Sequence, residues 1–117
     1  MAETKSEILQ GTLDLMVLQT LAAMGPMHGY GIARRIEQLS ENALALNQGT
    51  IYLCLIRLVQ RKWIKAVWGT SENNRKAKFY SITKAGQKQL KIEAEGWERV
   101  SGVIGRLLQL TPGGKTS

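Results

Sequence analysis

Residues 46–62 read LNQGTIYLCLIRLVQRK, and the fold turns on how this stretch divides between two faces. Ile51, Leu55, Leu58 and Val59 fall at i, i+4, i+7 and i+8, the spacing of one buried stripe on an α-helix. Asn47 stands just ahead of that helix, where its side-chain oxygen can accept an orphan amide and close the first turn. Thr50, Leu53, Ile56, Arg57 and Gln60 are left on the opposite side. The head of the helix is therefore polar, with Gln48, Thr50 and Tyr52 available to touch something outside the chain.

Working upstream, Leu13, Leu18, Leu21 and Ala22, widened by Leu15, Met16 and Val17, predict a helix over 11–24 that is buried on more than one side. MGPMHGYG (24–31) interrupts it, with Gly25 and Pro26 as breakers. A second helix is expected from residue 29 or 30 to residue 40. It would bury Ile32, Ala33, Ile36 and Leu39 and turn Arg34, Arg35, Glu37 and Gln38 to water or a partner. ENALAL (41–46) connects it to the helix that begins after Asn47.

Downstream the period changes. WIKAVW (63–68) and KFYSI (78–82) are rich in aromatic and β-branched residues and flank the polar GTSENNRKA (69–77), which predicts a long hairpin. Thr83 can cap a last helix over 84–109, in which Leu90, Trp97 and Ile104 repeat at seven with Val100 and Leu107 between them, a short coiled-coil-like seam. The tail, 110–117, is expected to lack structure. The fold class is thus mainly α with a two-stranded β-hairpin: a winged helix-turn-helix over 1–82, including an N-terminal extension, and a long helix over 83–109.

A chain of 117 residues with 44% hydrophobic content suits one globular domain, and association would help so small a core. No run is long and apolar enough for a membrane, and MAETKSEILQ lacks a signal-peptide layout, so a cytoplasmic location without membrane contact is expected. The lone Cys54 cannot form an internal disulfide. The net charge of +7 is concentrated: Arg57, Arg61, Lys62, Lys65, Arg75, Lys76, Lys78, Lys84, Lys88 and Lys91 face a single anion, Glu72. The rest of the chain is mildly acidic. Such asymmetry suits a polyanion, and a solvated solubilising face is the bland alternative.

In a helix-turn-helix the second helix enters the major groove with its N-terminal residues on base edges. Gln48, Thr50 and Tyr52 carry the donors and acceptors this requires. Arg57, two turns on, is expected at a phosphate, and Leu53 and Ile56 are candidates for thymine methyl groups. Arg75, Lys76 and Lys78, beside the Asn73–Asn74 turn, would hold the duplex through its backbone. Tyr52 reads equally well as a core aromatic, and the hairpin cations as a mobile charged tip. Catalysis has little footing: His28 is the only histidine and reads as a loop or cap residue, Asp14 is the only aspartate, and no phosphate loop or metal cluster is evident. No cofactor or metal is expected.

GTLDLMVLQTLAAMGPMHGYGIARRI, GTIYLCLIRL, WGTSENNRKAKFYSITKAG and EGWERVSGVI together resemble the PadR-like transcriptional regulators, over about residues 11–109. The resemblance implies a homodimeric repressor of palindromic double-stranded DNA, paired through its first and last helices. It places DNA contacts at Tyr30, Thr50, Tyr52, Arg75 and Lys76, and puts Leu13, Met16, Trp97, Val100, Ser101 and Ile104 at the dimer or effector interface. In similar multidrug-sensing members a tryptophan matching Trp97 stacks small planar aromatic ligands; simple packing of the seam is the plainer role for it. The chain departs from the family's usual residues at Gln48 and Leu53, both commonly proline, at Cys54, commonly alanine, and at Lys62, commonly glycine. Gly96, Gly102 and Gly105 weaken the last helix unless they permit a close approach. Two other functions stay open: a winged-helix protein-interaction module and a non-specific nucleic-acid binder.

Overall fold

The computed structural model describes residues 10–41, 43–44 and 46–116. The chain runs α1 (Gln10–Met24), β1 (Met27–His28), α2 (Gly29–Leu39), α3 (Gln48–Gln60), β2 (Ile64–Thr70), β3 (Lys76–Ile82), α4 (Lys84–Leu108), β4 (Leu110–Thr111) and β5 (Lys115–Thr116). Three helices, a wing-like hairpin and a long terminal helix make this a winged helix, the class the periodicity predicts. The N-terminal extension, 1–9, and residues Asn42 and Ala45 of the ENALAL connection lie outside the described residues.

The core is where the helical stripes converge. Leu13, Val17, Leu18 and Leu21 of α1 meet Ile32, Ala33 and Ile36 of α2, and both meet Ile51, Cys54, Leu55 and Leu58 of α3, with Ile64 and Tyr80 closing the cluster from the sheet. Each buried leucine, isoleucine and valine among them contributes on the order of 1.5–3 kcal/mol through removal from water. Two expected core positions are corrected. Leu39, the last residue of α2, is 73% exposed. Ala22 is also exposed.

Local chemistry fixes where each helix begins. Asn47 Oδ1 accepts from the Thr50 amide at 2.7 Å, as the sequence predicts, and Thr83 Oγ1 accepts from the Gly86 amide at 3.0 Å. For α2 the cap is His28, whose Nδ1 accepts from the Gly31 amide at 3.1 Å. Glu37, expected to face outward, instead reaches back so that its Oε2 accepts from the Leu46 amide at 3.1 Å, which ties the approach to α3 onto α2.

The end of α3 carries a complete double hydrogen-bonded stop. Trp63 donates to the Leu58 carbonyl at 3.1 Å and Lys62 to that of Val59 at 2.9 Å, the pairing that requires a left-handed residue at the turn. Lys62 supplies it at φ +65°, in a conformation ordinarily left to glycine.

The sheet has the order β1-β3-β2 and is antiparallel throughout. Its hairpin ladder runs from Ile64↔Ile82 to Thr70↔Lys76, so the strands extend through residues that the sequence reading assigns to the loop. Gly69 permits this, since a β-carbon there would sit 3.0 Å from the Phe79 ring. The true turn is 71–75, closed by Ser71 donating to the Arg75 carbonyl at 2.8 Å, with Asn74 at φ +61°. Met27↔Tyr80 and His28↔Phe79 add β1 to the edge of β3; two residues are too few to show a period in sequence. The tail is a further correction. Leu110 and Thr111 pair with Thr116 and Lys115 around Gly113 and Gly114, at φ +98° and +86°, so that part folds as a miniature hairpin.

Candidate nucleic-acid interface

The head of α3 is exposed where the sequence expects a reading surface. Gln48, Gly49 and Thr50 face solvent, while Tyr52 and Leu53 are 55% and 64% exposed. Tyr30 stands at the head of α2, 57% exposed. Opposite them rises the β2–β3 wing, on which Arg75, Lys76 and Lys78 are exposed. Between these walls lies a cleft of about 1050 Å³, lined by residues that include Tyr30, Gln48, Tyr52, Trp68, Arg75 and Lys78. Six of the eight expected DNA-contact residues line this cleft; Thr50 is exposed on α3 outside its lining, and Arg57 does not reach it.

Three residues of this surface carry no DNA contact in the sequence reading. Arg34 is expected there to face water or a partner and His28 to be a loop or cap residue, the second of which the α2 cap bears out. Arg34, one turn after Tyr30, places its guanidinium 5.9 Å from the Tyr30 ring. Trp68 receives the Lys78 ammonium 5.6 Å above its ring. His28 lies 6.4 Å from Tyr30 in a stacked pose and 5.8 Å from Phe79 edge-on. A signal existed for Arg34, since i, i+4 neighbours share a helix face; the His28 and Trp68 contacts depend on strand pairing that short sequence windows do not carry.

Arg57 is the correction. Its guanidinium does not point outward but pairs with the Asp14 carboxylate of α1. The two side chains are only 23% and 12% exposed. Cys54, one turn earlier on α3, also donates to Asp14 Oδ1, at 3.3 Å. The stripe periodicity puts Arg57 outside, but its stem is long enough to bend back across the helix edge toward the buried Asp14 carboxylate. Arg57 Nε stays buried and unpaired among the described residues, which costs about 1–3 kcal/mol. Burial, reinforced by the Asp14 carboxylate, pushes the Cys54 thiol up to about 12, so this cysteine is a packed hydrogen-bond donor. Burial also raises the Tyr80 phenol above its ordinary value, with nearby Tyr52 adding to the effect.

The expected dimer or effector set divides. Leu13 is 3% exposed inside the chain's own core, and Met16 packs against that core; α1 spends this face on α2 and α3. Trp97, Val100 and Ile104 are 54%, 58% and 50% exposed, with Leu107 at 59%. Ser101 is half-buried and donates to the Glu98 carbonyl at 3.3 Å. Together these four exposed apolar residues form an uncovered stripe along α4. The radius of gyration is 16.9 Å, against about 13 Å for a compact domain near this length. The excess reflects α4, whose distal half leaves the body of the protein.

A helix headed by exposed polar groups, set beside a basic wing on a three-helix core, defines a winged-helix transcriptional regulator. Comparison with known proteins agrees and narrows it. Residues 17–92 match the transcriptional regulator PadR-like family, and the chain belongs to that family. It is similar to a PadR-like transcriptional regulator from Bacillus cereus, with a TM-score of 0.76 and 27% identity over 88% of this chain and 97% of that one. A transcriptional regulator from Clostridium thermocellum superposes with a TM-score of 0.74 and 29% identity, covering 82% and 92% of the two chains. A PadR family regulator from Clostridium difficile gives 0.70 and 28%, covering 82% and 97%. No helix among the described residues is long and apolar enough to cross a membrane.

Proposed function

We propose that the protein is a homodimeric, cytoplasmic repressor that reads a palindromic site in double-stranded DNA. The observation that carries this reading is the pairing of an exposed polar helix head with a wing whose cations have no acidic partner: Asp14–Arg57 is the only ion pair among the described residues. Free cations beside a groove-sized helix are what a phosphate backbone neutralises, and Gln48 and Thr50 stand where base edges are read. Symmetry comes from α4. A 25-residue helix that exposes Trp97, Val100, Ile104 and Leu107 on one face is completed by a second copy of itself, which sets two reading helices about one DNA turn, roughly 34 Å, apart.

The test is selection of purified protein on a random duplex library near physiological salt. Enrichment of an inverted repeat with half-sites one turn apart supports both the reading and the dimer. Retained duplex binding without enrichment would make the protein an architectural binder, and no binding at all would make it a protein-interaction module.

A further inference from the structure

Asp14 and Arg57 lie on different helices, 43 residues apart in sequence, and form the one ion pair among the described residues. Both groups that donate to Asp14, the Cys54 thiol and the Arg57 guanidinium, come from α3. They sit three residues apart and so share the side of α3 that faces α1. Leu53 and Ile56, the residues just before Cys54 and Arg57, are 64% and 38% exposed. Asp14 therefore holds α3 on the side that faces α1, away from Tyr52, which lies across the helix and is 55% exposed.

Otherwise α3 meets α1 within a shared aliphatic cluster, to which it contributes Ile51, Leu55 and Leu58. Apolar contacts are non-directional and tolerate a helix rolling about its axis, whereas a hydrogen-bonded carboxylate fixes an angle. The radius at which side chains leave a helix is about 5–6 Å. A roll of some 20° thus moves a tip by about 2 Å, enough to lose a hydrogen bond of about 3 Å to a base edge.

We infer that Asp14 and Arg57 form a positioning clamp that sets the roll of α3 and thereby the sequence specificity of DNA reading, without either residue touching DNA. This rests on the reading given under Proposed function. The clamp predicts a separable effect: affinity for the preferred sequence falls, while the phosphate contacts remain.

The experiment measures binding of the selected duplex and of a scrambled duplex, each across a salt series, for the full-length wild type and for Arg57→Ala, Asp14→Asn, the double variant and Arg57→Lys. Far-UV circular dichroism identifies which variants are folded. Arg57→Lys, which keeps the charge and stem, serves if Arg57→Ala is not. The expected result is a tenfold or greater loss of preference in both single variants and an intermediate loss in Arg57→Lys. The salt slope should stay unchanged, and the double variant should be no worse than the singles because both remove one interaction.

The clamp is overturned if Arg57→Ala weakens both duplexes alike and lowers the salt slope by about one, the mark of a lost phosphate contact. It is equally overturned if folded variants keep the wild-type preference, which would leave the pair a purely stabilising role. A wild type that prefers no sequence would remove the DNA-reading premise itself, an outcome distinct from either.

Discussion

Gly86 lies so close to Trp63 that a β-carbon on it would stand 1.9 Å from the Trp63 carbonyl oxygen. The first turn of α4 is thereby pressed onto the turn that follows α3, where the Thr83 amide also donates to the same oxygen at 3.0 Å. Backbone cannot yield as a side-chain tip can. Gly86→Ala should destabilise the fold by about 2 kcal/mol or more, despite alanine's better helix propensity. Chemical denaturation checks this, and a neutral or stabilising result would mean that α4 shifts freely on α3.

Lys62 offers the opposite case. At φ +65° a lysine carries about 1–2 kcal/mol of left-handed strain, part of which glycine would give back as unfolded-chain entropy. Lys62→Gly should therefore stabilise by about 0.5–1 kcal/mol, raising Tm by roughly 2–5 °C. A lower Tm would show that the lysine stem contributes packing worth more than the strain.

Cys54 should behave as an inert thiol. Its folded pKa of about 12 lies above the unfolded value near 9.0, so the folded state holds the proton more tightly. The stabilisation linked to that proton is complete below pH 9 and is lost progressively as pH rises toward 12. At pH 8 a disulfide reagent should label the native protein only at the unfolding rate, and at once in denaturant. Rapid native labelling would mean that the Asp14–Cys54 contact opens readily.

On the wing, Arg75→Ala combined with Lys76→Ala should weaken binding to all duplexes similarly and reduce the salt slope by about 1.8. Electrophoretic or fluorescence titrations over a salt series would show it. A changed sequence preference would instead give these residues a base-reading role.

Along α4, the proposed dimer predicts that the wild type sediments as a dimer and Ile104→Glu as a monomer in sedimentation velocity, since the substitution puts a charge into the middle of the apolar stripe. Trp97 is tested separately: quenching of tryptophan emission by planar aromatic molecules should vanish in Trp97→Ala. Persistent quenching would move the ligand to Trp63 or Trp68.

The helices and both side-chain caps at Asn47 and Thr83 are legible in sequence because each depends on residues within a turn or two. The exposure of Gln48, Thr50, Tyr52 and the wing cations follows from the same local rules, as a consequence of where a helix or hairpin begins, whereas Tyr30 enters only through the family resemblance. What is not legible depends on distant partners. The inward bend of Arg57 needs Asp14, the β1 strand needs the edge of β3, and the Glu37–Leu46 link needs the course of a connection without periodicity. Leu13 illustrates another gap: apolar spacing shows that a position is buried but not whether the covering surface belongs to the same chain. The Gly113–Gly114 pair reads as disorder by composition, yet those two left-handed residues are what lets Leu110 and Thr111 fold back.

The hydroxyl of Thr83 sits within 2.7 Å of the Lys62 carbonyl and 3.0 Å of the Trp63 carbonyl, while it accepts the Gly86 amide. One oxygen thus joins the end of α3 to the start of a rod of 25 residues, about 37 Å long. At that length a tilt of about 5° in the junction would carry the far end through some 3 Å, the width of one hydrogen bond, so the fit of a few atoms around Thr83 sets where the exposed stripe of α4 stands.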